Sequence, residues 1–220
     1  ALVPLFLIND GDPDLHAGGA TVSETLRLIS AALLLLAAAL NLVRRQWALN
    51  ILALGLQYIC IFLIILEVRP PLLAAIKLIV GLMVSLMLYM TLVSSGLIES
   101  LLVRRRLSSG EVFRGTLALL LVLISILLGP VLQQSAFPQS SQLLLTASTG
   151  LILFGLFQMG TITEPLYLVI GLLTFLSGFE LLYASLEFSR VLEALFTAVN
   201  LSLALVGCFF IIKDVESGSA

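Results

Sequence analysis

Long apolar runs alternate with short polar breaks along this chain. Each run approaches the roughly 20 residues that an α-helix needs to cross a bilayer core of about 30 Å. The pattern predicts seven spans: Glu24–Val43, Trp47–Leu66, Leu72–Val93, Thr116–Leu132, Leu143–Met159, Pro165–Leu186 and Val191–Ile212. Local signals punctuate them. Thr21 and Glu24 have capping-box spacing ahead of the first span, and Arg44-Arg45 closes it. Trp47 opens the second as an interfacial aromatic. Pro70 and Pro71 separate the second from the third, because proline cannot continue a helix from within. A polar connector bearing Glu99, Arg104, Arg105, Arg106, Glu111 and Arg114 precedes the fourth. Ser135-Ala-Phe-Pro138 reads as a turn, and Pro165 opens the sixth span in a favourable first-turn position. The fourth and fifth spans are slightly short. A re-entrant pair in their place would leave five.

The expected fold is an all-α polytopic transmembrane bundle. Residues 1–20 form an extramembrane segment, 21–213 the transmembrane domain and 214–220 a C-terminal tail. Ala1–Ile8 is apolar but too short to span, and Asn9–Gly19 is acidic and glycine-bearing, which suits an aqueous loop. The chain begins without Met, which leaves a trimmed signal or an eighth span open. Orientation follows from Lys and Arg near the span ends. Arg44, Arg45, Arg104, Arg105, Arg106, Arg114 and Lys213 lie on one side, against Arg27, Arg69, Lys77 and Arg190 on the other. That asymmetry places the C-terminus in the cytoplasm and the N-terminus outside. A bacterial or archaeal cytoplasmic membrane is the expected location.

Composition narrows the class. Of 220 residues, 60% are hydrophobic and 11% charged, with a mean hydropathy of +1.17. Soluble domains average roughly 45–50% apolar and about 25% charged. A soluble enzyme, a nucleic-acid binder and a disordered tail are excluded, and a formal charge of −2 leaves no broadly basic surface. Cys60 and Cys208 both sit inside apolar runs and read as small hydrophobes. His16 is the sole histidine, so paired intramembrane haem ligands are excluded. The sequence has no glycine-rich phosphate loop, no Cys/His cluster and no Ser-His-Asp set. No cofactor or catalytic centre is expected. Arg104, Arg105 and Arg106 admit two readings, an anionic-lipid contact and a plain topology anchor.

The informative residues are therefore polar groups inside apolar spans, where a charge is disfavoured by about 2.5–3.5 kcal/mol on translocon scales. Glu180 lies two thirds of the way along the sixth span, sharing a face with Tyr183, Ala184 and Glu187. It is either a proton-exchanging acid or an interhelical packing contact. Glu193, Thr197 and Asn200 form one stripe on the seventh span, suited to a water chain or to interhelical hydrogen bonds. Lys77 can snorkel, pair with Glu67 across the Pro70-Pro71 turn, or act as a buried cation. Asn50 and Gln57 share a face of the second span and read as interhelical contacts. Polarity thus concentrates in spans two, three, six and seven. Those are expected to face protein or water, and spans one, four and five to face lipid more. Leu66-Glu67 with Leu72 and Ala74 echoes Leu186-Glu187 with Leu192 and Ala194 at an offset of 120. In so leucine-rich a chain the echo carries no weight by itself.

The layout resembles the component E subunit of membrane-bound group 4 hydrogenases, whose C-terminal part is related to the K subunit of respiratory complex I. Gly178-Phe-Glu180-Leu-Leu-Tyr-Ala184 is similar to the Gly-x-Glu segment of the K subunit. Leu192-Glu193-Ala194 is similar to the segment around its second membrane Glu. Asn200 stands where component E often has Asp. Ala75-Ile-Lys77 resembles the membrane lysine of component E, and Arg45 through Gln57 its basic-then-Gln helix. Glu180 and Glu193 are closer together than the K-subunit pair, and Gly81 lies near where a proline follows the lysine. The resemblance implies a non-catalytic membrane-arm subunit of a complex-I-like oxidoreductase. Its partners would be other hydrophobic subunits, and Glu180, Glu193 and Lys77 would belong to a hydrated ion path. Asn200, Thr197 and Tyr183 flank that path. A structural or assembly subunit and a small stand-alone transporter are the alternatives.

Overall fold

The computed structural model describes residues 13–66, 69–95, 110–162, 164–184, 186 and 189–218. These form seven helices: α1 (Pro13–Val43), α2 (Trp47–Ile65), α3 (Pro71–Ser94), α4 (Gly110–Ser135), α5 (Gln142–Thr161), α6 (Pro165–Ala184) and α7 (Arg190–Gly218). All seven carry a stretch long and apolar enough to cross a membrane. The chain is a multi-pass integral membrane protein, and α4 and α5 are full spans, so the five-span alternative falls away.

The helix ends differ from the sequence reading in an instructive way. Helix α1 starts at Pro13, inside the segment expected to be a loop, and Thr21 and Glu24 lie within the helix, not at its cap. Pro13 gives up no needed donor at a first helical position, and extending an existing helix needs no new nucleus. The same logic carries α7 through the expected tail to Gly218. Helix α4 begins six residues before its apolar run, with Glu111 in its first turn, and passes through Pro130 to end at Ser135. An acid is favourable at a helix N-terminus.

Neighbour relations define two layers. Helices α1, α2 and α3 pack in sequence, as do α5, α6 and α7; α1 lies against α5, α2 against α6 and α3 against α7, while α4 touches α1 and α5. The two triplets match in size. Their apolar stretches run 20, 19 and 24 residues in the first and 20, 20 and 24 in the second. Chain alternation makes facing helices parallel. The molecule is thus two parallel three-helix units joined by α4. Of the offset-120 echo, Leu72 and Ala74 open α3 and Leu192 and Ala194 open α7, at equivalent places in the two units.

Packing corrects the expected split between protein-facing and lipid-facing spans. Helix α5 has 56% of its apolar window buried, whereas α7 has 22% and α3 has 33%. Membrane helices associate through small residues that let backbones approach, and α5 supplies Ala147, Ser148, Gly150 and Gly155 on its buried side. At Gly155 an added Cβ would collide with the backbone of Phe175, and at Gly178 with Ile152 and Leu151. Helices α5 and α6 are therefore held in near-backbone contact. The buried and half-buried polar side chains of α7, Glu193, Thr197 and Asn200, form one stripe, and apolar side chains on its other faces, such as Leu195, Leu205, Phe209 and Phe210, are exposed.

The two ends of the bundle are fastened by polar side chains. Arg45 reaches Glu164 at 3.6 Å, linking the α1–α2 and α5–α6 connections. At the opposite face Arg27 donates to Ser141 at 3.1 Å, linking α1 to the α4–α5 turn. Cys60 and Cys208 are free thiols.

Candidate functional site: a buried ion pair between the two units

Lys77 sits in the second turn of α3, near the face that bears the α2–α3 and α6–α7 connections. Across the seam, Glu180 sits in the last turns of α6. Lys77 Nζ is 3.0 Å from Glu180 Oε1. Both are buried, at 8% and 6% exposure. The snorkel reading of Lys77 is therefore replaced by a partnered one, and the partner is Glu180. Glu67, the partner the sequence offered across the turn, lies outside the described residues.

Asn200 of α7 completes the centre. Its Nδ2 donates to Glu180 Oε1 at 2.8 Å, and its Oδ1 accepts from the Tyr58 hydroxyl of α2 at 3.5 Å. One carboxylate oxygen thus receives an ammonium and an amide, and the amide passes the connection on to a phenol. Tyr58 reaches this position because α3 carries Gly81 there; an added Cβ would overlap the Tyr58 ring. Phe196 and Tyr183 border the pair. Phe196 lies 5.9 Å from Lys77 Nζ, within cation–π range, and meets Phe179 and Tyr183 edge-on at 5.8 Å each.

A small cavity adjoins the pair, lined among others by Arg69, Ser189, Tyr183 and Glu193 together with Lys77 and Glu180. Its volume of about 20 Å³ for the centre of a water-sized sphere holds about one water. Glu193 and Tyr183 therefore do join the site, as its rim. Thr197 does not: its hydroxyl donates to the Glu193 carbonyl of its own helix at 2.9 Å. Glu187, Arg104, Arg105 and Arg106 lie outside the described residues.

Sequence reasoning missed Tyr58, Phe196, Arg69 and Ser189. An aromatic in an apolar helix carries no mark of its own. The available signal for Tyr58 was its place beside Gln57, on the face that also carries Asn50 and Leu54 at helical spacing. Asn50 and Gln57 do make interhelical contacts. Asn50 Nδ2 donates to the Asn41 carbonyl at 3.4 Å, and Gln57 Oε1 accepts from Thr174 of α6 at 3.5 Å.

Among the described residues no cluster of three or more His, Cys, Asp or Glu side chains offers a metal site. What the arrangement can do chemically is exchange a proton between its two groups. An amine and a carboxylate 3.0 Å apart are two proton-holding positions in direct contact, in surroundings that favour neutralising both. Comparison with models of protein families, with curated proteins and with solved structures finds no match.

Proposed function

We propose that this chain is a non-catalytic membrane subunit that carries part of a proton or cation path through a complex-I-like or hydrogenase-like respiratory complex. The buried Lys77–Glu180–Asn200 centre supports this reading above all else. A charged pair inside a membrane span calls for a role that a leucine could not fill. Transfer of a proton from the Lys77 ammonium to the Glu180 carboxylate leaves a neutral amine and a neutral acid, and the reverse step restores the pair. The cavity at Arg69, Ser189 and Glu193 is the exit toward the nearer face. Other hydrophobic subunits are the partners, the membrane is a bacterial or archaeal cytoplasmic one, and the C-terminus is cytoplasmic. Arg104, Arg105 and Arg106 anchor that side, with anionic lipid as their natural counterpart.

Glu180→Gln tests the reading. It keeps the size and an acceptor oxygen while removing the proton-carrying group. The parent complex is expected to assemble, retain its redox turnover and lose most of its ion pumping. Pumping at the wild-type level by the assembled variant would sink the proposal and leave a structural or assembly role.

A second reading is favoured by one specific observation, the pairing of two parallel three-helix units around α4. Parallel repeats about an axis along the membrane normal occur in secondary transporters, with the site at the repeat interface. The Lys77–Glu180 pair sits at that seam. Purification separates the readings. A stand-alone transporter isolates as a monomer or homodimer active in liposomes, whereas a subunit co-purifies with other hydrophobic chains.

A further inference from the structure

The site described above opens toward one face only. A continuation toward the other face is visible in polar atoms that lack protein partners. Among the described residues seven buried side-chain atoms make no hydrogen bond: Lys77 Nζ, which belongs to the ion pair, Gln158 Oε1 on α5, which lies apart, and five more, Asn41 Nδ2 and Oδ1, Asn50 Oδ1, Gln57 Nε2 and Ser177 Oγ. The residues of these last five are all nearly sealed from the surface, at 2% exposure or less. An unsatisfied buried polar group is disfavoured by about 1–3 kcal/mol, so native proteins place bound water at such groups.

The last five lie on α1, α2 and α6. Gln57 is on α2 and Ser177 on α6, the helices that face each other across the seam, and the Ser177 hydroxyl also lies within reach of the Tyr58 hydroxyl. Gln57 precedes Tyr58, which contacts Asn200 and through it Glu180. Asn50 lies on the same face of α2, two turns closer to the α1–α2 connection, and holds the carbonyl of Asn41. Between Asn50 and Gln57 on that face stands Leu54, which is fully buried. With a rise of 1.5 Å per residue, Asn50 is about 4.5 Å into α2 and Gln57 about 15 Å. Ser85 and Thr174 are also buried but are already bonded, to the Gly81 carbonyl and Gln57 Oε1 respectively.

We propose that buried water bound at Gln57 and Ser177 extends the polar column from Glu180 toward the α1–α2 face, where Asn41 and Asn50 take it up, with Leu54 as its apolar break. The column then runs through the cavity at Glu193, the Lys77–Glu180 pair, Asn200, Tyr58, the Gln57–Ser177 water, Leu54 and the two asparagines. Leu54 is the point at which a continuous water file would be interrupted. This column deepens the ion-path reading, yet its hydration is measurable without any ion flux, so the two stand or fall separately.

Hydroxyl-radical footprinting of the full chain in lipid nanodiscs tests it, because radicals formed from bound water oxidise the side chains beside it. The comparison is between Tyr58, at 5% exposure, and Phe154, at 0%. Tyr58 is expected to be oxidised severalfold faster than Phe154. Gln57→Leu is expected to lower the Tyr58 rate severalfold and leave Phe154 unchanged. Ser177→Ala, which removes one oxygen and adds no bulk, is expected to lower it in the same direction and guards against a misfolded Gln57 variant. A Tyr58 rate equal to that of Phe154 would overturn the proposal. So would a fast Tyr58 rate indifferent to both substitutions, since the water would then come from the cavity at Glu193.

Discussion

Glu180 and Lys77 stand on different helices, and each is disfavoured in the membrane interior without a partner. Removing one partner of a buried ion pair strands the second charge and destabilises by about 3–5 kcal/mol, while replacing both with apolar groups is often neutral. Lys77→Met and Glu180→Leu are therefore each expected to lower resistance to unfolding strongly, and the double variant to recover most of the loss. Unfolding in detergent micelles measures this as a double-mutant cycle. Losses that simply add would mean that the two side chains do not depend on each other. At this scale the sequence already marked Lys77, Glu180 and Asn200, because a charge or amide in an apolar run is conspicuous. It did not say which would meet. That depends on α3, α6 and α7 converging, and no local pattern encodes which face of one helix meets which face of another. Thr197 shows the opposite failure. It shares the stripe of Glu193 and Asn200, yet a threonine in a helix can spend its hydroxyl on its own backbone, and here it does.

At the scale of the helix, spans were legible and ends were not. An apolar run measures the part of a helix that lies in hydrocarbon, and the backbone ladder continues past it into water wherever nothing stops it. So α1 and α7 outrun their apolar stretches and α4 outruns the Thr116–Leu132 run read from the sequence, while α2, α5 and α6, bounded by Pro, Arg or tight connections, match theirs closely. Helix burial was misjudged for a related reason: polarity marks a helix that needs a partner, but small residues decide which helices come closest. Two glycine substitutions separate these effects. Gly155→Ala drives a Cβ into the Phe175 backbone, and overpacking of this kind destabilises by roughly 1–3 kcal/mol. Gly115 in α4 has open space around an added Cβ, and Ala is favoured over Gly in a helix by up to about 1 kcal/mol. Thermal unfolding is expected to fall for Gly155→Ala and to hold or rise for Gly115→Ala. Equal effects at both sites would contradict the close approach of α5 and α6.

For the whole molecule, seven spans put the two ends of the bundle on opposite sides of the membrane, and the remaining question is which way round it sits. The structure sharpens the charge argument. The face with the α2–α3 and α6–α7 connections carries Arg27, Arg69, Lys77 and Arg190, of which Lys77 is paired with Glu180 and Arg27 donates to Ser141. The other end carries the exposed Arg44 and Lys213. Short positively charged segments resist translocation, so the Arg44 end is predicted to be cytoplasmic. In a background lacking Cys60 and Cys208, Gln139→Cys in the exposed α4–α5 turn is expected to react with a membrane-impermeant maleimide on intact cells. Asp214→Cys, at the far end of α7, is expected to react only after lysis. The reverse pattern would invert the molecule. In the predicted orientation the cavity at Arg69 and Glu193 would open outward, and Leu54 would stand between the ion pair and the cytoplasm. An ion moving inward would meet the charged pair before the apolar break, and one moving outward would meet the break first. If the proposed path is right, widening the column with Leu54→Ala is expected to raise leak in both directions, and Glu180→Gln to remove most of the coupled transfer; unchanged leak in Leu54→Ala would contradict the apolar break.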